Sequence, residues 1–185
     1  SNENKDKVSN YSMEFDGMDD YVDCGNDSVF NLTNAMTLSA WVKPSSLPND
    51  KFIIAKRWTS NAYQMASGFG NKASASIWVG GVRYNVGGTT SLSVGTWYNI
   101  IITFNGLELK LYLNGNLEGT TAAVGNLDQT ADIVSIAKGL NTNSYNFTGN
   151  IDEPSIFNRV VTPAEITIIS TTPTVDLTSL NPVAY

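Results

Sequence analysis

The feature that most limits the fold of this chain is a long succession of short β-prone runs separated by glycine, asparagine and proline. The runs are alternating or wholly apolar, and almost no helical period is present. Short strands at such regular spacing are typical of a β-sandwich or a β-barrel, so the sequence predicts an all-β domain. We predict strands near 12–16, 20–24, 36–43, 52–57, 62–69, 73–79, 82–87, 97–104, 107–113, 116–122, 132–137 and 146–158.

The clearest runs lie between residues 97 and 119, WYNIIITFNGLELKLYLNGNLEG. Asn105-Gly106 and Asn114-Gly115 each stand between two β-rich runs, and Asn-Gly supplies the positive φ angles of a two-residue type I′ turn. Two successive turns of this kind predict a three-stranded antiparallel meander. Alternation in its middle strand would place four leucines on one face, namely Leu107, Leu109, Leu111 and Leu113.

One short helix is predicted near the C-terminus, roughly over residues 163–169. Thr162 is a suitable N-cap, Pro163 stands at the first helical position, and Glu165 completes a capping box. We expect the isoleucines of this helix to pack at a sheet edge.

The composition excludes several classes of function. The chain has no histidine, which removes Ser-His-Asp catalysis and most zinc sites. Its net charge is −6 and its basic residues are scattered, which argues against a nucleic-acid partner. No apolar run approaches the ~20 residues of a membrane span. The single cysteine, Cys24, excludes an internal disulfide and is predicted to be a small buried hydrophobe.

An acidic segment, MEFDGMDDYVDCGN, stands near the start of the predicted domain. A turn at Gly17 would bring Asp16, Asp19 and Asp20 to one corner. Carboxylates and a free backbone carbonyl in a tight loop suit Ca²⁺, which takes six to eight oxygen ligands. The alternative is that Asp16 and Asp19 cap the turn through its own backbone amides. The residues alone leave both hypotheses open.

Candidate ligand-binding residues are aromatic or amide side chains outside the expected core, because sugar rings have one apolar face and many hydroxyls. The hairpin SIWVGGVRYNV, the loop KRWTSNAY and a polar segment near residue 143 supply them. A scaffold role remains open for each residue. The candidates are Trp58, Trp78, Arg83, Tyr84, Asn143 and Tyr145.

The order and spacing of several motifs carry a family resemblance: MEFDGMDDYVDCGN, MTLSAWVKP, FIIAKRW, GTWYNIIITFNG, LKLYLNGNLEG and GNIDEPSIFNRVVTPAEI. Together they resemble the laminin-G-like, concanavalin-A-like jelly-roll domains, most closely the bacterial and phage branch. The resemblance implies two antiparallel sheets packed face to face, one of them concave. It predicts a domain over residues 12–171, between a flexible segment at 1–11 and an extended tail at 172–185.

The tail sequence LNPVAY resembles the opening strand of the same domain type, although here it stands at the end. Three hypotheses follow. The tail begins a further repeat of a tandem array, adds a strand to a neighbouring copy, or folds back on its own sheet. The chain starts at Ser1 without a visible signal peptide, so we expect a processed product or a piece of a longer protein.

The same resemblance bears on metal binding and catalysis. Related domains often hold calcium between the FDG turn and a late G-x-I-D-E strand, which adds Asp152 to Asp16 and the Gly17 carbonyl as ligands of a structural Ca²⁺. Glycosidases of the wider fold carry E-x-D-x-x-E on one strand. Here Asp152 and Glu153 are adjacent and would point to opposite faces, and Ile156 replaces the third acid. The sequence therefore predicts a protein without catalytic activity.

The predicted function is recognition of carbohydrate or another cell-surface ligand by an extracellular, cell-surface or virion-borne module. This prediction depends on analogy with the fold. The alternative is a structural repeat or decoration subunit of a phage particle or surface filament, joined to copies of itself or to neighbouring domains by strand addition.

Overall fold

The structure, a computed structural model, describes residues 11–48, 50–139, 141–171 and 177–184. Residues 1–10 of the predicted flexible segment 1–11 lie outside these ranges. The described chain contains one α-helix, α1 (Pro163–Ile169), and a series of β-strands. The strands are β1 (Met13–Asp16), β2 (Val22–Asp23), β3 (Met36–Pro44), β4 (Lys51–Lys56), β5 (Tyr63–Ser67), β6 (Lys72–Val79), β7 (Val82–Ser91), β8 (Tyr98–Phe104), β9 (Glu108–Leu113), β10 (Asn116–Ala122), β11 (Ser135–Ile136) and β12 (Thr148–Phe157).

The strands form two antiparallel six-stranded sheets that pack face to face. Sheet A has the order β1-β12-β3-β8-β9-β10, and sheet B has the order β2-β11-β4-β5-β6-β7. Alternate residues of both sheets point into a shared apolar core, represented by Leu38 and Ile100 from sheet A and by Met65 and Ile77 from sheet B. The prediction of a two-sheet jelly-roll sandwich with one short helix is therefore confirmed.

The predicted meander forms β8, β9 and β10, but its two turns differ. Asn114 (φ 48°) and Gly115 (φ 79°) both have positive φ angles, as a type I′ turn requires. At the other turn, the side-chain oxygen of Asn105 accepts hydrogen bonds from the backbone nitrogens of Leu107 and Glu108. This wider turn leaves Leu107 60% exposed, so its predicted place in the core was wrong, whereas the other three leucines are buried.

Helix α1 begins as predicted, with a reciprocal capping box between Thr162 and Glu165. Ile166 and Ile169 pack against side chains of β8 and β12. Both strands are interior to sheet A, so the helix covers the outer face of the sheet. The prediction that its isoleucines pack at a sheet edge was wrong. The helical segments within the described ranges are far too short to form an apolar span of a bilayer.

The described part of the tail folds back onto its own domain. Leu177 is buried beside α1, and residues 183 and 184 reach β12. There the nitrogen of Val183 donates to the oxygen of Ile156 (2.7 Å), and the nitrogen of Ile156 donates to the oxygen of Ala184 (2.9 Å). In this single chain, β1 pairs with the first part of β12, and the tail pairs with the last part of the same strand. Residues 172–176 and 185 lie outside the described part.

The prediction that Cys24 is buried was wrong, because its side chain is exposed. The strand before it, β2, has two residues and pairs with β11 at the edge of sheet B. So short an edge strand gives Cys24 no covering layer.

Candidate functional site

The outer face of sheet B, which points away from the core, carries small and neutral polar side chains. Two rows of residues run across β4, β5, β6 and β7 in register. The alternate positions, such as Met65 and Val86, point into the core. The first row is Ala55, Gln64, Ser76 and Asn85, and the second row is Phe52, Ala66, Ser74 and Gly87.

Two guanidinium groups lie over the indole ring of Trp78 on this face, and the tryptophan is only 7% exposed. Trp78 and Arg83 are opposite each other on β6 and β7. The guanidinium carbon of Arg57 lies 5.0 Å from the centroid of the Trp78 ring, and that of Arg83 lies 5.3 Å from it. Both distances are within the range of cation–π attraction.

Neutral oxygen atoms hold the two arginines. Arg57 donates from Nε to Asn61 Oδ1 (2.7 Å) and from Nη1 to Gln64 Oε1 (2.8 Å). Arg83 donates from Nε and Nη2 to the hydroxyl oxygen of Ser76. Burial lowers the pKa of Arg57 below its usual value, and the positive charge of Arg83 lowers it further.

A stacked aromatic pair continues this surface on the side of Arg57. The rings of Phe52 and Tyr145 lie 5.3 Å apart with an interplanar angle of 20°, and Arg57 lies 5.7 Å from the Phe52 centroid. Gly139 contacts the same phenyl ring so closely that a Cβ atom there would collide with it. A glycine is therefore required for the loop to reach Phe52.

A groove of about 220 Å³ lies over β6 and β7. We call it the outer-face groove, and Ser74, Ser76, Asn85 and Gly87 form its floor. A Cβ atom built on Gly87 would meet no other atom within 4 Å, so the floor is open there. The charged residues of its lining are Asp50, Lys72 and Arg83.

A second cluster adjoins this surface near β11. The amino group of Lys138 lies 4.7 Å from the ring centroid of Tyr21 and 5.3 Å from that of Trp58, and it donates to Asn143 Oδ1 (3.0 Å). Lys138 is 8% exposed. The lysine thus joins three chain segments that are distant in sequence.

The structure brings some of the predicted ligand residues together and separates others. Trp78, Arg83 and Tyr145 lie on the outer face of sheet B. Trp58 and Asn143 both contact Lys138, in the adjoining cluster. Tyr84 does not share the expected rim, because alternation along β7 turns it inward, where it packs on the core.

Sequence analysis missed Arg57, which contacts both Trp78 and Phe52. The register of β4 against β5 shifts between Phe52 and Ile54, and both Ile53 and Ile54 point into the core. This bulge changes the alternation, so that Ala55 and Arg57 follow Phe52 onto the outer face. If the side chains of FIIAKR alternated strictly from Phe52 onwards, Arg57 would point to the core side of the sheet.

The predicted acidic corner is formed. Carboxylate oxygens of Asp16, Asp19 and Asp20 lie within 4.8 Å of one another, and all three residues are exposed. Asp16 Oδ1 also accepts a hydrogen bond from the nitrogen of Met18 (2.7 Å), and Asp20 Oδ2 accepts one from the nitrogen of Asp16 (3.2 Å). The turn therefore has clustered carboxylates and backbone capping together, with Asp16 and Asp20 accepting from backbone nitrogens where Asp16 and Asp19 were predicted to do so.

The neighbourhood of this corner differs from the expected ligand set. Asp16 pairs with Thr148 on β12, so Asp152 stands four residues further along that strand and outside the cluster. Asn146 lies closer: its Nδ2 donates to the oxygen of Met18 (2.6 Å), and its fully buried Oδ1 has no hydrogen-bond partner among the described residues. The donor set of the corner suits a hard cation without Asp152.

The sequence of residues 16–167 matches the family described as the concanavalin A-like lectin/glucanases superfamily. The chain belongs to this superfamily. The resemblance in the motifs is thus confirmed, and the match ends within α1. No curated protein matches the sequence.

Solved structures of the superfamily's fold resemble this one at low sequence identity. Domain 4 of AbnA, an extracellular GH43 arabinanase from Geobacillus stearothermophilus solved in complex with arabinotriose, is 17% identical with a TM-score of 0.71, covering 86% of this chain and 76% of that one. A putative carbohydrate-binding protein from Bacteroides ovatus is 16% identical with a TM-score of 0.65, covering 80% and 43%. A pentraxin from Limulus polyphemus is 14% identical with a TM-score of 0.58, covering 75% and 70%.

Proposed function

We propose that this domain is a non-catalytic carbohydrate-binding module and that the outer-face groove is its binding site. One observation carries the proposal: the groove has an open floor of small polar side chains, and exposed Asn85 and Arg83 line it. Sugar hydroxyls need hydrogen-bonding groups, and this floor offers them. Trp78 is only 7% exposed and holds Arg83 by cation–π contact.

The polar groups around the groove suit hydroxyl recognition. Asn85 and Ser74 point outward from adjacent strands and line the groove. The open position above Gly87 leaves room for a ring beside them. The site therefore places several neutral donors and acceptors on paired strands around an open floor.

The relatives of the fold support the same function. A domain of similar fold is known in complex with arabinotriose, and another is described as a putative carbohydrate-binding protein. At this level of identity they establish the fold, and the function is inferred from the groove itself.

The groove is poorly equipped for glycoside hydrolysis. Both common mechanisms need two carboxyl groups on either side of the scissile bond. Of the described residues that line the groove, Asp50 alone carries a carboxyl group. Asp152 and Glu153 belong to sheet A, on the other layer of the sandwich. This arrangement supports binding without catalysis.

We further propose that the module acts outside the cell, on a cell surface or on a virion. The low charged share of 15% and the abundance of neutral polar residues support this location. The alternative, a structural subunit joined by strand addition, requires the tail to leave its own sheet. In the described chain the tail pairs with β12, so recognition is the function that we favour.

Binding is tested by titration calorimetry against arabinan, galactan and uronate oligosaccharides. We expect Asn85→Ala and Gly87→Val to weaken binding at least tenfold, because the first removes a hydrogen-bonding side chain of the groove and the second fills its open floor. Asn116→Ala is the matched control, since Asn116 is exposed on β10 of sheet A. Unchanged affinity in both groove variants, at unchanged melting temperature, would contradict this location of the site.

We also propose a structural Ca²⁺ at the acidic corner, held by Asp16, Asp19 and Asp20. A bound ion stabilises by mass action, so calcium at about a hundred times its dissociation constant should raise the melting temperature by roughly 5–10 °C. Asp19→Asn should abolish the rise and Asp152→Asn should leave it intact. The same result for both variants, or no rise in the unaltered protein, counts against the site.

A further inference from the structure

The outer-face groove is positively charged in a protein that is negative overall. The chain has 17 acidic and 11 basic residues, yet Lys72 and Arg83 face a single carboxylate, Asp50, in the groove lining. Arg57 adds a further positive charge at its border, beside Trp78. A local excess of this kind attracts anions despite the net charge of the molecule.

Neither guanidinium at the groove forms an ion pair within the described part of the chain. Amide oxygens hold Arg57, and a hydroxyl group holds Arg83. The contrast is Arg159, which binds the carboxylate of Glu165 through both Nη atoms, at 2.8 and 2.7 Å. Arg159, which lies beside α1, is therefore paired with an acid. Among the described ion pairs, Arg57 and Arg83 have no such partner.

Two guanidiniums over one ring repel each other. The charge of Arg83 is one of the groups that lower the pKa of Arg57, after the larger effect of burial. Neutral oxygens make the hydrogen bonds of both groups, and the more distant charge of Asp50 offsets only part of the lowering of the Arg57 pKa. An anion bound at Arg83 would reduce the repulsion and would gain charge-assisted hydrogen bonds.

Donor atoms remain for such an anion. In the described contacts, the Nη2 atom of Arg57 and the Nη1 atom of Arg83 make no hydrogen bond. A guanidinium presents its donors in a planar fork that matches the oxygens of a carboxylate or a sulfate. Trp78 is only 7% exposed, and its ring contacts both guanidiniums and so helps to hold them in place.

We propose that the outer-face groove selects an acidic sugar, with the carboxylate or sulfate group bound by Arg83 and Lys72 above the open floor at Gly87. This inference rests on the proposed function and names the class of its ligand. Neutral oligosaccharides would occupy the same groove more weakly, because they cannot use the charged donors.

The test compares ligands that differ only in charge. Calorimetry or affinity electrophoresis is run with oligogalacturonate and its methyl ester, and with dextran sulfate and dextran. The first pair isolates a carboxylate, and the second isolates a sulfate. We expect at least one charged ligand to bind tenfold or more tightly than its neutral partner, and the preference to shrink in 0.5 M salt because screening weakens charge interactions.

Arg83→Gln and Lys72→Gln are the test variants, because both residues line the groove and Arg83 is exposed. Lys43→Gln is the matched control, since it removes the same charge from sheet A. We expect Arg83→Gln to cost the acidic ligand tenfold or more and the neutral ligand less than threefold. If Arg83→Gln unfolds the domain, Lys72→Gln should still reduce the preference for acid at least threefold.

The outcomes separate the two proposals. Equal binding of charged and neutral ligands would overturn the acidic-sugar inference and leave carbohydrate binding intact. Equal losses in Lys43→Gln and Arg83→Gln would also overturn it, since they would indicate a general charge effect. Absence of binding to every saccharide would overturn both proposals.

Discussion

At the scale of single residues, one carboxylate positions the loop that carries Arg57 and Trp58. Asp132 is 8% exposed, and its Oδ2 accepts hydrogen bonds from the backbone nitrogens of Trp58 (2.8 Å), Thr59 (2.9 Å) and Ser60 (2.6 Å). Burial by itself raises the pKa of Asp132, but these bonds lower it by more, so the net shift is downward. The loop is therefore fixed by a charged acceptor from a distant part of the chain.

We predict that Asp132→Ala lowers the free energy of unfolding by about 2–4 kcal/mol, because three backbone donors lose a partner. Asp132→Asn should cost roughly 1 kcal/mol, since an amide oxygen still accepts but without charge. Denaturant unfolding measures both. Asp27→Asn is the control: Asp27 caps a short 3₁₀ turn by accepting from Val29, and asparagine caps as well as aspartate. A loss at Asp27 equal to that at Asp132 would contradict the special role of the loop anchor.

Sequence reasoning predicted the site at this scale only in part. Trp78 and Arg83 are five residues apart in one hairpin, and strand pairing brings them together as their spacing implies. Arg57 and Asp132 could not be assigned in the same way. A bulge sets the orientation of Arg57, and the bonds of Asp132 cross more than 70 positions of sequence. Bulges and long-range loop contacts have no periodic signature in a single sequence.

At the scale of elements, short sequence motifs predicted the structure correctly where their own residues fix the backbone hydrogen bonds or φ angles. The Thr162–Glu165 capping box and the Asn114-Gly115 turn were predicted because each fixes its own hydrogen bonds or φ angles. Asn105-Gly106 has the same dipeptide, but the side chain of Asn105 caps a wider turn instead. The choice between the two turns depends on strand registry, which the dipeptide alone does not encode.

The tail provides an element-scale prediction. Leu177 is 2% exposed and packs with Ile101 and Phe157 beside α1, whereas Leu107 is 60% exposed in its turn. We predict that Leu177→Ala lowers the free energy of unfolding by about 2–4 kcal/mol, and that the matched control Leu107→Ala changes it by less than about 0.5 kcal/mol. Denaturant unfolding at two protein concentrations is the measurement. A small effect of Leu177→Ala, or one that depends on concentration, would favour a tail that pairs with another copy.

At the scale of the whole molecule, the two layers of the sandwich have different tasks. The outer face of sheet A is covered by α1 and the tail, which bury Ile101 and Phe157. On the outer face of sheet B, Tyr145 covers Phe52, Ala55 and Ala66, and the part over β6 and β7 stays open as the groove. The sequence predicted both sheets from strand spacing, but it did not show which face would be covered. That distinction follows from where the C-terminal segment returns, and only the three-dimensional arrangement reveals it.

The same scale sets the response to pH. The chain has no histidine, so no side chain with an ordinary pKa between 5 and 8 titrates on unfolding. Two carboxyl groups have pKa values lowered from 4.5 to about 2: Glu118, which joins β10 to β7 through hydrogen bonds led by that of Thr89, and Glu165 at the start of α1, chiefly through Arg159. A pKa that is lower in the folded state adds stability above the unfolded value, and this stability is lost as pH falls towards the folded value.

We therefore predict a flat stability between about pH 5.5 and 8, followed by a decline between about pH 4.5 and 2. Thermal unfolding across this range measures it. In Glu118→Gln the decline should become shallower, because the glutamine side chain no longer binds a proton when the protein unfolds. Glu14→Gln is the control, since Glu14 is exposed on β1 and lies at the other edge of sheet A. A decline in stability between pH 8 and 6 would contradict this assignment of the acid sensitivity to Glu118. So would an equal slope of stability against pH in Glu118→Gln and Glu14→Gln.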